Sequence, residues 1–249
     1  MEGLVLAGGL ADTSLQQRGV QRVPLLTVGG ETLAGRTCRL LVEAGCTTVY
    51  LLAPGEVPLP ELPQVLRGAS SGDLMADVTA CVKGMKGDGL IVATSDMPLL
   101  TRECVQELAD FVRQTAAQVV YPVVDKATME QRGLDKGRTY KKVGGRNYTG
   151  GNIFYLDRVW LVKQETLFRG LFDQRKDPMA LAKFFGAGFV WKVVSGSLTL
   201  PYAEEYLSKR LEARIKVLVS QRVEIAADLD KADDLATLAA VLDPGQFAA

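Results

Sequence analysis

The sequence predicts a doubly wound α/β protein, three layers deep, with a mixed but mostly parallel central sheet. Three observations carry that expectation. An apolar run, Gly3-Leu4-Val5-Leu6-Ala7, opens the chain and breaks at Gly8-Gly9. Strand-like and helix-like segments then alternate, as in βαβ units with right-handed crossovers. Residues 89–95 (GLIVATS) are apolar almost throughout, as befits a strand covered on both faces.

Each element has its own signal. Residues 10–23 are polar and irregular and read as a mobile loop over a site. Residues 24–30 give a short extended piece and a turn. A helix follows over 32–44, with Thr32 as N-cap, Leu33, Leu40 and Leu41 on its apolar face, and Gly45 closing it. Residues 47–53 (TTVYLLA) form a buried strand stopped by Pro54-Gly55. Residues 56–71 are turn-rich and 73–83 helical; strand 89–95 ends in Asp96-Met97-Pro98. A helix over 101–115, capped by Thr101, and a strand over 117–124 come next. Residues 125–150 read as an inserted loop or hairpin, crowded with Arg132, Lys136, Arg138, Lys141, Lys142 and Arg146. Beyond it lie a strand at 153–156, helices at 157–168 and 178–185, and a strand at 189–194. An amphipathic helix at 201–219, a strand at 223–226 and a helix over 231–242 follow. No repeat or low-complexity linker interrupts the chain, so one domain over 1–249 carrying the inserted subregion is expected.

Composition removes several kinds of chemistry. There is no histidine among the 249 residues, which excludes imidazole bases, Ser-His-Asp triads and His-ligated metals. A metal here is held by carboxylates, which suits Mg²⁺ or Mn²⁺. Basic and acidic residues balance at 29 each, so neither nucleic acid nor an anionic membrane is an expected partner. No apolar run approaches the roughly 18 residues of a membrane span, and a signal peptide is not evident. The four cysteines lack CxxC spacing and fit reduced thiols in a cytoplasmic protein.

Five groups of residues are candidates for function. Leu6-Ala7-Gly8-Gly9 exposes bare backbone after a strand, which suits a nucleotide, although a tight turn has the same composition. It matches neither GxxxxGK[ST] nor GxGxxG. Asp96 stands at the carboxyl end of a central strand, where open α/β sheets bind ligands. Asp228 and Asp230 share a face at spacing i, i+2 and offer a second carboxylate for a metal; capping the last helix is the alternative. Gly150-Gly151-Asn152 allows close approach of a substrate plus one amide side chain, or is simply a turn. The basic group at 132–146 suits an anionic acceptor or a solvated loop.

In this order, five motifs resemble the MobA-like class of GT-A-like nucleotidyltransferases. They are Leu6-Ala7-Gly8-Gly9, Pro24-Leu25-Leu26-Thr27-Val28-Gly29-Gly30-Glu31, Thr94-Ser95-Asp96-Met97-Pro98-Leu99-Leu100, Thr149-Gly150-Gly151-Asn152 and Asp228-Leu229-Asp230-Lys231-Ala232-Asp233-Asp234-Leu235. The resemblance implies a Rossmann-like fold of the nucleotide-diphospho-sugar transferase kind. It implies a nucleoside triphosphate over Leu6–Gly9 and Mg²⁺ on Asp96 with Asp228 or Asp230. The reaction implied is NMP transfer to a phosphorylated small-molecule acceptor with release of pyrophosphate. A homodimer is compatible with it. The family places an arginine just after the glycines and a lysine before the Leu-Leu element. Here 10–14 has no cation and Asp12 has the opposite sign, so Arg18 and Arg22 are the expected substitutes. The alternative is a nucleotide-binding or regulatory protein with weakened catalysis. A GT-A glycosyltransferase ranks behind both, because Ser95-Asp96-Met97-Pro98 lacks a DxD.

Overall fold

A computed structural model gives the structure, which describes residues 1–173, 178–242 and 247–248. Its strands are β1 (Glu2–Leu6), β2 (Thr27–Val28), β3 (Glu31–Thr32), β4 (Val49–Leu52), β5 (Val65–Arg67), β6 (Gly89–Thr94), β7 (Val119–Asp125), β8 (Lys141–Val143), β9 (Arg146–Gly150), β10 (Ile153–Asp157), β11 (Ile215–Ser220) and β12 (Phe247–Ala248). Its helices are α1 (Thr13–Gln16), α2 (Leu33–Glu43), α3 (Leu74–Gly84), α4 (Arg102–Thr115), α5 (Lys126–Gln131), α6 (Arg158–Lys163), α7 (Glu165–Asp173), α8 (Pro178–Phe185), α9 (Ala187–Val194), α10 (Leu200–Leu211) and α11 (Ala232–Val241).

The main sheet runs β5-β4-β1-β6-β10-β7-β9-β8, with β11 also on β7. Strands β5, β4, β1 and β6 are mutually parallel, and β11 is parallel to β7; β10 enters antiparallel between β6 and β7. The expected three-layer architecture follows from alternation along the central strands. Val5, Ile91 and Ala93 face one core with Leu33, Leu41 and Leu108 of α2 and α4. Leu4, Leu90 and Val92 face the other with Val82, Trp160 and Leu161 of α3 and α6. Among the described residues, no helix is long and apolar enough to cross a membrane. All four cysteines are free and buried.

Several expectations are corrected. Residues 10–23 are not a loose loop: Ala11, Leu15 and Val20 are buried in the core, around the short α1. The turn-rich 56–71 contains edge strand β5. Thr101 precedes α4, but its side chain makes no capping bond and lies instead 3.4 Å from Cys104 Sγ. Residues 189–194 are helical: Gly186, at φ 80°, turns the chain into α9, and Phe189 stacks on Tyr206 and packs at a tilt against Phe185. Aromatic packing here outweighs a β-rich composition. The helix expected over 201–219 stops at Leu211. Glu212 adopts a left-handed conformation, Trp160 Nε1 donates to Leu211 O at 2.9 Å, and Ile215 onward pairs with β7. Ile215 and Leu218 mimic helical spacing but are strand residues. The expected strand at Val223–Ala226 is a 3-10 turn. Within 125–150 the chain forms α5 and then the β8–β9 hairpin, joined by Gly144 and Gly145 at φ 59° and 81°. Two positive φ values in succession suit a two-residue hairpin turn.

Candidate active site

From β1 the chain winds outward to β4 and β5, then crosses back to β6 on the other side of β1. Crossovers thus leave β1 in opposite senses, and a crevice opens at the carboxyl ends of β1 and β6. A cavity of about 530 Å³ lies there. Leu6, Gly8 and Gly9 line one wall, Thr94, Ser95 and Asp96 another, and Ser70, Gly72 and Asp77 a third; Asp12 and Asp230 complete the acidic lining. Ala7, expected in the same set, turns into the core at 1% exposure.

Neither packing nor backbone strain explains Gly8 and Gly9. A Cβ built on either meets no atom within 4 Å, and neither has positive φ. Side chains would fit the protein alone, so these glycines matter where something approaches the backbone from the cavity. Arg22 lies against this turn: its guanidinium donates to Gly8 O at 3.0 Å and to Glu56 at 2.6 Å. Arg18 is exposed on the turn after α1 and is not among the lining residues. Ser14 Oγ accepts from Ala232 N at 3.1 Å and donates to Asp12, tying this segment to the start of α11.

The carboxylates differ in their surroundings. Thr94 Oγ1 donates to Asp96 at 2.5 Å. Burial pushes the Asp96 carboxyl above the ordinary carboxylate range; the Thr94 bond and the Arg138 charge oppose this, and the negative charge of Asp230 adds to it. Asp12 is held below that range by its hydrogen bonds to Ser14. Asp77, 7% exposed, accepts twice from Ser71 N at 2.8 and 3.0 Å and so fixes the loop before α3. Asp73 caps that helix through Ala76 N. The 69–72 wall was not singled out in the sequence; an Asp cap directly after Ser-Ser-Gly was its available signal.

Other expected site residues lie elsewhere. Asp228 does not line the cavity: its carboxylate is engaged by Arg138, which also donates to the Asp228 carbonyl at 2.6 Å. Gly150 and Gly151 are also outside the lining and have packing reasons to be glycine. A Cβ on Gly150 would lie 2.0 Å from Tyr121 Oη, and one on Gly151 3.3 Å from Ile225. The Asn152 backbone joins Thr94 to Ile225 through bonds of 3.0 and 2.8 Å, and its side chain does not line the cavity. The basic group disperses. Arg132 pairs with Glu224 and Arg146 with Asp125, while Arg138 turns toward 228–230.

Sheet order, switch-point crevice and glycine turn define the GT-A-like nucleotidyltransferase fold. The 2-C-methyl-D-erythritol 4-phosphate cytidylyltransferase of Thermus thermophilus shares it. The TM-score is 0.57 at 14% identity, over 97% of this chain and 99% of that one. The profile of the MobA-like NTP transferase domain matches residues 3–187, and the chain belongs to that family. A hypothetical transferase, also from Thermus thermophilus, is 30% identical with a TM-score of 0.74, over 94% of this chain and all of that one. Probable molybdenum cofactor guanylyltransferases of Mycobacterium bovis and Mycobacterium tuberculosis are 31% identical over 129 residues, 49% of this chain and 61% of theirs. The chain thus spans about three fifths of those curated relatives' length.

Proposed function

We propose that the protein transfers NMP from a nucleoside triphosphate to a phosphorylated small-molecule acceptor, with Mg²⁺ or Mn²⁺ as cofactor. The observation that carries this reading is the switch-point cavity, where a bare glycine turn faces two carboxylates, Asp96 and Asp230. Among the described residues no three metal-ligating side chains form a cluster. Mg²⁺ needs no such cage: one or two carboxylates with phosphate oxygens and water complete its shell. Asp96 and Asp230 line one cavity and feel each other's charge, so they fit a dication, whereas Asp228 is already neutralised.

In this reading the Gly8-Gly9 turn receives the nucleotide, and Arg22 holds the turn in place. The acceptor phosphate oxygen attacks the α-phosphorus in line. A P–O bond forms, the α–β P–O bond breaks, and pyrophosphate leaves with the electron pair. A bound dication would neutralise the phosphate charge. The chain supplies positioning and no general base, which suits a protein without histidine. A screen of nucleoside triphosphates and phosphorylated acceptors with Mg²⁺ should release pyrophosphate; a folded protein that releases none with any pair refutes the catalytic reading.

One observation favours a second reading. Among the described residues, the cavity lining contains Asp12, Asp77, Asp96 and Asp230 but neither lysine nor arginine. A nucleotide-binding protein with weakened catalysis would look the same. Calorimetry separates the two: binding that is indifferent to Asp96→Ala favours the second.

A further inference from the structure

We propose that Arg138 is a positioning residue that fixes the 228–230 segment so that Asp230 faces Asp96. This rests on the nucleotidyltransferase reading above. Arg138 grips residue 228 twice, once at its carboxylate and once, at 2.6 Å, at its backbone carbonyl. Both side chains are largely covered, at 9% and 17% exposure. The next residue is pinned as well: Leu229, 1% exposed, donates its N–H to Asp96 O at 2.8 Å. Asp230 then has little backbone freedom, and its own N–H and that of Lys231 donate to Asp234 at 3.1 and 2.8 Å. Residue 228 is therefore the anchor, and residue 230 presents the carboxylate to the cavity.

The arrangement is not one that stability alone would select. The Arg138 Nε is buried without a hydrogen-bond partner. Buried ion pairs with unmet donors are commonly matched or exceeded in stability by apolar pairs of similar volume. A planar fork that reaches a side-chain oxygen and a main-chain oxygen together supplies orientation instead. The same segment of chain passes beside the cap of α11, since a Cβ on Gly137 would lie 3.6 Å from Asp234 Oδ1. The excursion that carries Arg138 thus holds 228–234 from one side, while Asp96 holds it from the other.

The test compares Arg138→Met/Asp228→Leu and Arg138→Lys with the wild type. Mn²⁺ binding is read by electron paramagnetic resonance with and without nucleotide, alongside kcat, KM and thermal unfolding. The double variant should stay folded, bind Mn²⁺ roughly 10- to 100-fold more weakly and lose kcat by a similar factor, the usual consequence of removing a group that orients metal ligands. Arg138→Lys should fall between, because one ammonium does not reproduce the fork. A purely structural pair would change the melting temperature and leave Mn²⁺ affinity and kcat intact in the folded protein. Wild-type Mn²⁺ affinity in the folded double variant overturns the proposal. If the double variant fails to fold, wild-type affinity and kcat in Arg138→Lys overturn it equally. A wild type that binds neither Mn²⁺ nor nucleotide refutes the functional reading itself, a distinct result.

Discussion

The end of β6 and the 228–230 segment meet through one hydrogen bond, Leu229 N to Asp96 O, and treat their carboxylates in opposite ways. Asp228 is covered but carries its own cation, Arg138. Asp96 is covered and forms no ion pair among the described residues; the Thr94 hydroxyl, a backbone hydrogen bond and the more distant Arg138 charge favour its ionised form, but burial outweighs them and a second carboxylate adds to the cost of its charge. The first arrangement is complete within the protein. The second is the one that, under the proposed function, a bound dication would complete. The contrast is between an anchoring aspartate, which follows a 3-10 turn, and one proposed to hold a cation, which follows β6.

The sharpest way to break this comparison is to neutralise each carboxylate in turn. Asp96→Asn should lower the rate of pyrophosphate release on the order of 10³-fold, since a cofactor-holding carboxylate contributes several kcal/mol to charge neutralisation. Unchanged turnover would mean that Asp96 holds nothing catalytic. Asp228→Asn should act first on the fold. It leaves Arg138 covered and without its counter-charge, which costs about 3 kcal/mol. Urea titration reads that loss as a lower midpoint at similar slope. If Asp228→Asn is as stable as the wild type, the anchoring role assigned to it fails.

A third substitution separates ligand contact from protein packing. Gly9→Val places its Cβ where nothing lies within 4 Å, so the melting temperature should barely move. Nucleotide affinity measured by calorimetry should fall roughly 10-fold or more, the effect of overpacking a fitted contact by about 1–3 kcal/mol. Unaltered affinity would place the nucleotide away from the glycine turn.

How far the sequence disclosed these features depended on whether the signal was local. Helix α2 was legible because Thr32 accepts from Gly35 N at its start and Gly45, at φ 100°, follows its end. The central strands were legible because burial on both faces leaves continuous apolar runs. The C-terminal third was harder. Ile215 and Leu218 belong to β11, and the helix before it ends through Trp160, a partner 51 residues away that local spacing does not reveal. The same holds for the site. Asp96 could be placed from the strand it ends. Whether Asp228 or Asp230 faces the cavity depends on Arg138, 90 residues upstream of Asp228. The glycines of Thr149-Gly150-Gly151-Asn152 were ambiguous for a similar reason: the neighbour that Gly150 accommodates, Tyr121, lies in another strand.

The smallest expected effect is also the most discriminating. Because burial raises the Asp96 carboxyl above its ordinary range, the folded protein holds that proton more tightly than the unfolded chain. The ionised carboxylate therefore costs stability at all pH values above the raised folded pKa. That cost fades as pH falls through the folded pKa toward the ordinary carboxylate range. Asparagine does not titrate, so Asp96→Asn should melt a few degrees higher than the wild type at pH 8 in chelator. The advantage should shrink steadily as the buffer is acidified. Adding Mg²⁺ and a bound nucleotide should reverse the order, because ligand stabilises only the protein that holds it. If Asp96→Asn melts lower than the wild type in chelator, Asp96 is already compensated within the fold, and its contrast with Asp228 disappears.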